Sequence, residues 1–172
     1  MADTTVVLDG LHFAEGPRWH DGRLWFSDFY DHRVRSMGPG GDVRDELDVP
    51  GQPSGLGWLP DGRLLVVSMT DRRVLRREHD GSVVLHADLG GVATFHCNDM
   101  VVDGAGRAYV GNFGFDLHTF IRDHGEAAIF VHPDAHGAVV ALVHPDGTVE
   151  AATEELRFPN GSVLTDGGRT LV

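Results

Sequence analysis

Four residues with oxygen-bearing side chains stand at matching positions along the chain. Ser54, Asn98 and Asn160 each lie nine residues before an arginine, and Glu15 lies eight residues before one. If the fold brings these positions to one place, a carboxylate and two carboxamides converge there as hard oxygen donors. Such donors are typical of a Ca²⁺ site, whereas zinc sites are built mainly from Cys and His.

The same four residues also have a purely structural interpretation. Asn and Ser are common before tight turns because their side chains hydrogen-bond to the nearby backbone. Taken singly, each of these residues is more typical of a turn than of a functional site. Their repetition at one register favours a shared function, but the spacing alone does not say which function.

The segments that carry these residues are predicted to be β-strands. Short runs rich in β-branched and aromatic residues are separated by Asp-Gly turns, at residues 22–28, 62–69, 72–79 and 82–89. No window of helix length shows convincing helical periodicity. The chain is therefore predicted to be all-β.

A sequence repeat predicts the architecture. Three landmarks recur at an offset of 40 residues, and they pair 21–23 with 61–63, 31–34 with 71–74, and 41–43 with 81–83. Units of about 40–45 residues with about four short strands have the size of β-propeller blades. A β-sandwich is the alternative, but it has no reason to keep this register. In a propeller the first strand of each blade lines the central channel, so the four polar residues are expected to face one axis.

The repeats predict a single partial β-propeller domain over residues 1–172. Its blades start near residues 15, 54, 97 and 159, which gives an incomplete arc of about three blades plus the first strand of a fourth. The third unit is longer than the others, and the difference locates an insertion at about residues 112–138.

The predicted insertion is rich in histidine, with His118, His124, His132 and His136. His132 and His136 have a zinc-like separation, although the proline between them disfavours a helix. We interpret the segment as a solvated loop whose histidines are incidental. A substrate lid or an adventitious metal site is the alternative.

Composition and missing motifs exclude several classes of function. The formal net charge is −12, and there is no clustered positive charge of the kind that nucleic-acid binding requires. No secretory signal is expected, and no apolar run approaches the roughly 18 residues of a membrane span. The single cysteine, Cys97, excludes an internal disulfide. Serine-hydrolase, P-loop and zincin motifs are absent. We expect a cytoplasmic protein without nucleic-acid or membrane partners.

Four stretches together resemble the gluconolactonase family, which includes regucalcin (senescence marker protein). They are AEGPRW at 14–19, PSGLGWLPDGRLLV at 53–66, CNDMVVDGAGRAYVGNFG at 97–114, and 137–164 with its PNGSVL. The similarity covers nearly the whole chain. It implies a six-bladed propeller that binds a divalent cation in its channel and hydrolyses a small-molecule substrate, a lactone, sugar-acid lactone or related ester.

The resemblance also implies roles for individual residues. Glu15 and Asn160 are expected to bind the metal, and Asn98 is expected to bind metal or substrate. His96 stands where several relatives place a substrate-binding Arg, so it is expected to contact substrate or relay protons; an ordinary turn residue is the alternative. Ca²⁺ is the expected cation, with Zn²⁺, Mg²⁺ and Mn²⁺ as alternatives.

The catalytic residue is unknown from this sequence. In the family, a further metal ligand is an Asp that is also the expected catalytic base, and its blade would lie beyond Val172. The chain is therefore expected to be the N-terminal portion of a longer, metal-dependent hydrolase of lactones or esters. A non-catalytic propeller scaffold or ligand-binding protein is the alternative, because propellers host many functions.

Overall fold

The structure is a computed structural model, and it describes residues 4–172. Its main elements are three four-stranded antiparallel sheets, each built from strands that are consecutive in the chain. Sheet 1 contains β1 (Ala14–His20), β2 (Arg23–Asp28), β3 (Arg33–Met37) and β4 (Val43–Asp48). Sheet 2 contains β5 (Pro53–Trp58), β6 (Leu64–Ser68), β7 (Arg73–Arg77) and β8 (Val83–Asp88). Sheet 3 contains β9 (Cys97–Val102), β10 (Ala108–Asn112), β11 (Ala141–Val143) and β12 (Val149–Ala151).

A fourth unit follows these three sheets. It is a two-stranded antiparallel pair, β13 (Leu164–Thr165) with β14 (Thr170–Leu171). The four units do not close into a ring, so the described residues form an open arc of β-propeller blades. This confirms the predicted all-β propeller arc, and it adds a second short strand to the fourth unit.

Asp-Gly turns join the strands, as their spacing predicts. In the turn before β8, Asp80 accepts hydrogen bonds from both the backbone N–H and the hydroxyl of Ser82. The following residue, Gly81, has φ of +87°, a conformation that costs glycine little and other residues much. The Gly81 N–H donates to the Glu78 carbonyl at 2.9 Å and the Glu78 N–H donates to the Ser82 carbonyl at 2.8 Å, which closes the turn and fixes the register of β7 and β8.

The middle sheet is buried on both of its faces. All five residues of β6 are buried, and successive side chains point to opposite faces. Leu64 and Val66 pack toward sheet 1, while Leu65 and Val67 pack toward sheet 3. Full burial of such a side chain contributes about 1.5–3 kcal/mol, so these two layers hold neighbouring blades together.

The predicted insertion contains a short helix that the sequence pattern does not reveal. Between β10 and β11 lie α1 (Leu117–His124) and a 3₁₀ segment (Glu126–Phe130); a shorter 3₁₀ turn follows β2 (Phe29–Asp31). The Asp116 side chain caps α1 by accepting a hydrogen bond from the Thr119 backbone N–H. The helix has only eight residues, which is shorter than the window over which periodicity becomes visible. None of the helices formed by residues 4–172 is both long and apolar enough to cross a membrane.

Candidate functional site

The four polar residues singled out by their spacing meet in the structure. The Ser54 hydroxyl lies 3.0 Å from a Glu15 carboxylate oxygen and 3.1 Å from Asn98 Oδ1. Asn98 Nδ2 donates a hydrogen bond to Asn160 Oδ1 at 2.7 Å. One side chain from each of four consecutive units thus joins a continuous hydrogen-bonded chain, which we call the polar quartet: Glu15, Ser54, Asn98 and Asn160.

Glycines allow the inner strands to approach closely enough for these contacts. A Cβ on Gly55 would lie 2.3 Å from the backbone nitrogen of Met100, so only glycine fits between β5 and β9. A Cβ on Gly16, whose φ is +56°, would lie 2.9 Å from the Ser54 carbonyl oxygen. The glycine that follows Glu15 and the glycine that follows Ser54 are therefore part of the device that joins the blades.

Buried hydrogen bonds and an ion pair fix the strands around the polar quartet. The Ser27 hydroxyl donates to the Ser54 carbonyl oxygen at 2.6 Å, which ties sheet 1 to sheet 2. The Arg18 guanidinium donates to Asp99 Oδ1 at 2.8 Å and to the Met100 carbonyl at 2.6 Å, which ties sheet 1 to sheet 3. Charge-assisted bonds of this kind hold side chains in one geometry.

The Ser54 hydroxyl lies next to two acceptors and can serve only one of them at a time. Ser54 and Asn98 are 1% and 2% exposed. A hydroxyl carries a single proton, so Ser54 can donate to Glu15 or to Asn98 Oδ1 but not to both at once. At any moment the other oxygen lacks the Ser54 proton and can accept from water or contact a cation.

Glu15 has an electrostatic environment that calls for a positive charge. Burial raises the pKa of its carboxyl, the hydrogen bond from Ser54 lowers it, and the nearby Asp99 carboxylate raises it again, with a net increase. The two groups that act on this carboxyl, the Ser54 hydroxyl and the Asp99 carboxylate, bring no positive charge to it. A cation placed here would favour the ionised carboxylate.

The polar quartet opens into a cleft of about 240 Å³ with largely aromatic walls. Glu15, Asn98 and Asn160 form its polar part, while Leu117 and His118 of α1 close one side. The remaining walls are Phe13, Phe29, Tyr30, Met69, Phe113 and Phe158. A small pocket with few polar groups on an apolar surround is typical of a small-molecule site.

His96 lies beside this cleft and is not one of its lining residues. It is half-buried, its ring stacks on Phe95 with centroids 4.1 Å apart, and burial lowers its pKa. The histidine that does line the cleft is His118, which sequence reasoning interpreted as incidental. Phe13 and Phe158 each stand two residues before a member of the polar quartet, a repeat that could have revealed the aromatic walls.

The site offers oxygen donors and no activated thiol. Cys97 neighbours the polar quartet, but it is fully buried, and burial raises the pKa of its thiol to about 12. A thiol in this state is inert as a nucleophile. The arrangement is suited to holding a hard cation or a polar ligand through carboxylate and amide oxygens.

Comparison with solved structures identifies the same blade arrangement elsewhere. A gluconolactonase from Xanthomonas campestris superposes with a TM-score of 0.70 at 22% identity, over 96% of this chain and 55% of that one. The calcium-binding protein regucalcin from Agrobacterium tumefaciens gives 0.69 at 19% identity, over 97% and 52%. A chain of a nidogen–laminin complex gives 0.66 at 16% identity, over 92% and 55%. At these identities the likeness shows the fold alone.

Sequence comparison identifies the family. No curated protein matches the chain significantly. The chain spans about half the length of the solved structures it matches. The family model for the SMP-30/gluconolactonase/LRE-like region matches residues 13–172, which is nearly the whole chain. The chain belongs to the SMP-30/gluconolactonase/LRE-like family.

Proposed function

We propose that this chain carries the cation site of a metal-dependent hydrolase of lactones or related esters. The observation that carries the proposal is the polar quartet: four consecutive units each contribute one oxygen-bearing side chain to one hydrogen-bonded chain, and Glu15, Asn98 and Asn160 line the cleft beside it. Membership of the family and the gluconolactonase among the similar folds support the reaction class. A propeller that served only as a scaffold would have no need of this convergence.

The residues of the polar quartet fit a hard divalent cation. Glu15 supplies one negative charge, and the side-chain amides of Asn98 and Asn160 supply neutral oxygens. Because the single Ser54 proton can serve either Glu15 or Asn98 Oδ1, the other oxygen can contact a cation. Three protein oxygens are fewer than the six to eight that Ca²⁺ takes, so positions would remain for water and substrate.

Each residue of the site has a distinct proposed role. A bound divalent cation polarises a carbonyl and makes water a better nucleophile. Glu15 would bind the cation through its negative charge. Asn98 and Asn160 would leave most of the cation's positive charge in place, because their amide oxygens carry no formal charge. Ser54 would hold Glu15 and Asn98 at a fixed separation, as its two contacts indicate.

The cleft favours a small ester with both apolar and polar faces. Its volume of about 240 Å³ suits a single-ring lactone rather than a polymer. The stacked pair Phe113 and Phe158, with ring centroids 5.4 Å apart, would keep water from one face of the ring. We propose that Asn98 and His118, which both line the cleft, contact the substrate. His96 lies outside the lining, and its contact with substrate stays a prediction from the sequence.

A lactone assay tests the reaction class. Hydrolysis of D-glucono-δ-lactone, followed by acid release, should be measured on this chain with and without added Ca²⁺. We expect turnover that disappears in excess chelator and returns with Ca²⁺, and that Glu15→Gln abolishes. Undiminished turnover in chelator would refute the cation mechanism. Cation binding without turnover of any lactone would favour the ligand-binding alternative.

A further inference from the structure

The segment between β10 and β11 has a small apolar core of its own. Phe120, Ile129 and Ala135 are buried against one another, and Leu117 and Phe158 pack around them. Leu117 and Phe158 also line the central cleft. The position of this segment therefore determines the shape of one cleft wall.

Three metal-ligating side chains meet on the surface of this segment. His124 ends α1, and His132 and Asp134 follow the 3₁₀ segment. One ligand atom from each residue lies within 4.8 Å of the other two. The two imidazole rings lie next to each other, with centroids 4.3 Å apart and planes tilted by 35°.

Packing and a backbone hydrogen bond hold these side chains in place. The Phe120 ring contacts both imidazoles, with centroids 4.8 Å from His124 and 5.5 Å from His132. His132 Nδ1 accepts a long hydrogen bond of 3.2 Å from the Asp134 backbone N–H. This hydrogen bond uses the Nδ1 lone pair, so ligation of a metal through Nδ1 would replace it; the Asp134 carboxylate lies 3.8 Å from the same nitrogen.

We propose that His124, His132 and Asp134 form a Zn²⁺ site that joins the end of α1 to the segment after it. Two imidazole nitrogens and one carboxylate oxygen are common zinc ligands, and a water would complete the tetrahedron. A Ca²⁺ ion would not be favoured, because it takes six or more oxygen ligands. This site is separate from the polar quartet and does not depend on the proposed lactonase activity.

The predicted effect of Zn²⁺ is to order the segment that forms one wall of the cleft. A metal that binds the folded segment and not the unfolded one stabilises it by mass action. Because Leu117 lies in α1 and belongs to the same apolar core, fixing the end of α1 also fixes this part of the cleft wall.

Visible spectroscopy with Co²⁺ in place of Zn²⁺ tests the site directly. We expect the metal-free chain to bind one Co²⁺ with a four-coordinate absorption band that Zn²⁺ abolishes by displacement. His124→Ala and His132→Ala should each weaken binding by at least about tenfold. His136→Ala is the matched control, because it removes a histidine of the same segment that lies outside the cluster; Glu15→Gln is the control for the central cleft. Equal weakening by His136→Ala, or no effect of His124→Ala and His132→Ala, would overturn the proposal.

Hydrogen exchange on the unmutated chain gives a reading that does not depend on variant folding. Zn²⁺ should slow amide exchange over residues 117–136 and leave exchange in β6 unchanged. Exchange over 117–136 that does not respond to Zn²⁺ would overturn the site even if the variants failed to fold.

Discussion

Ser54 is the residue on which the geometry of the site depends. Its hydroxyl lies within hydrogen-bonding distance of both Glu15 and Asn98, and its backbone carbonyl accepts a bond from Ser27. The side chain thus links three sheets at the point where their inner strands begin. The hydroxyl has a single proton, so it donates to only one of the two acceptors at a time.

Replacement of Ser54 by Ala should destabilise the protein more than loss of a surface hydroxyl. The buried Asn98 oxygen and the partly exposed Glu15 carboxylate would lose their shared donor, at a cost of about 1–3 kcal/mol in the free energy of unfolding. Chemical denaturation of the cation-free chain measures this. Ser82→Ala is the control, because Ser82 is exposed and its hydroxyl bonds only to the Asp80 carboxylate. Equal stability of Ser54→Ala and the unmutated chain would show that the link is not structural.

The sequence predicted which residues form the candidate site, but it did not predict the hydrogen bonds between them. Glu15, Asn98 and Asn160 could be aligned from the sequence because each lies eight or nine residues before an arginine. The competition for the Ser54 proton depends on distances of 3.0 and 3.1 Å, which no spacing encodes. The location of His118 in the cleft wall also escaped prediction, because it depends on how α1 packs.

At the scale of elements, aspartates in the turns accept hydrogen bonds from nearby arginines, Asp61 from Arg63 and Asp103 from Arg107. Asp103 Oδ1 accepts hydrogen bonds from the backbone N–H groups of Ala105 and Arg107, and Oδ2 accepts one from Arg107 Nε. Burial raises the pKa of the Asp103 carboxyl, but these hydrogen bonds outweigh that effect and lower the pKa overall. The carboxylate therefore stabilises the turn between β9 and β10.

Asp103→Asn should destabilise the chain in a way that depends on pH. We expect a loss of about 1–3 kcal/mol near pH 7, because the amide cannot reproduce the charge-assisted bond to Arg107. The folded-state pKa lies below the unfolded value of about 3.9, so the carboxylate's contribution is full above that value and is lost as pH falls through the folded pKa. Denaturation curves at pH 7 and near pH 3 should show the difference narrowing at the lower pH.

Asp146→Asn is the control for this prediction. Asp146 is exposed and accepts from Thr148 through a single oxygen, which an amide retains. The hydrogen bonds from Thr148 also lower the pKa of the Asp146 carboxyl, but this group is exposed, so its substitution should have a smaller effect and a weaker dependence on pH. A pH-independent loss in Asp103→Asn would assign the effect to packing rather than to charge.

The strands were predictable because their signals repeat, and the helix was not because its signal occurs once. Residues 64–68 alternate between two apolar cores, which matches a strand of the predicted middle blade. In α1 the only cues are the Asp116 cap and apolar residues at positions 117, 120 and 121. Such a short pattern also fits a loop, and its helical form depends on packing against Ile129 and Phe158.

At the scale of the whole molecule, the open arc leaves an apolar groove on sheet 1. Val7, Trp19, Leu24 and Met37 line a groove of about 390 Å³. The side chains of Val7 and Trp19 are 72% and 67% exposed. Exposed apolar surface of this kind promotes association.

The chain described by this structure should therefore self-associate with rising concentration, and Trp19→Ser should reduce the effect. Light scattering over a concentration series measures the mean mass. Val131→Ser is the control, because Val131 is at least as exposed as Trp19 but lies in the segment after α1, outside the groove lining. A mass that is independent of concentration, or unchanged by Trp19→Ser, would show that the groove does not drive association.

The central claim is that four consecutive units build one cation site, and Ca²⁺ titration calorimetry tests it most directly. The chain should bind one Ca²⁺ at the polar quartet. Glu15→Gln should weaken binding by at least about tenfold, because it removes the only charged ligand among the three proposed. Glu154→Gln, at an exposed position outside the site, should leave the affinity unchanged. Absence of Ca²⁺ binding, or equal affinity in Glu15→Gln and the unmutated chain, would contradict the account.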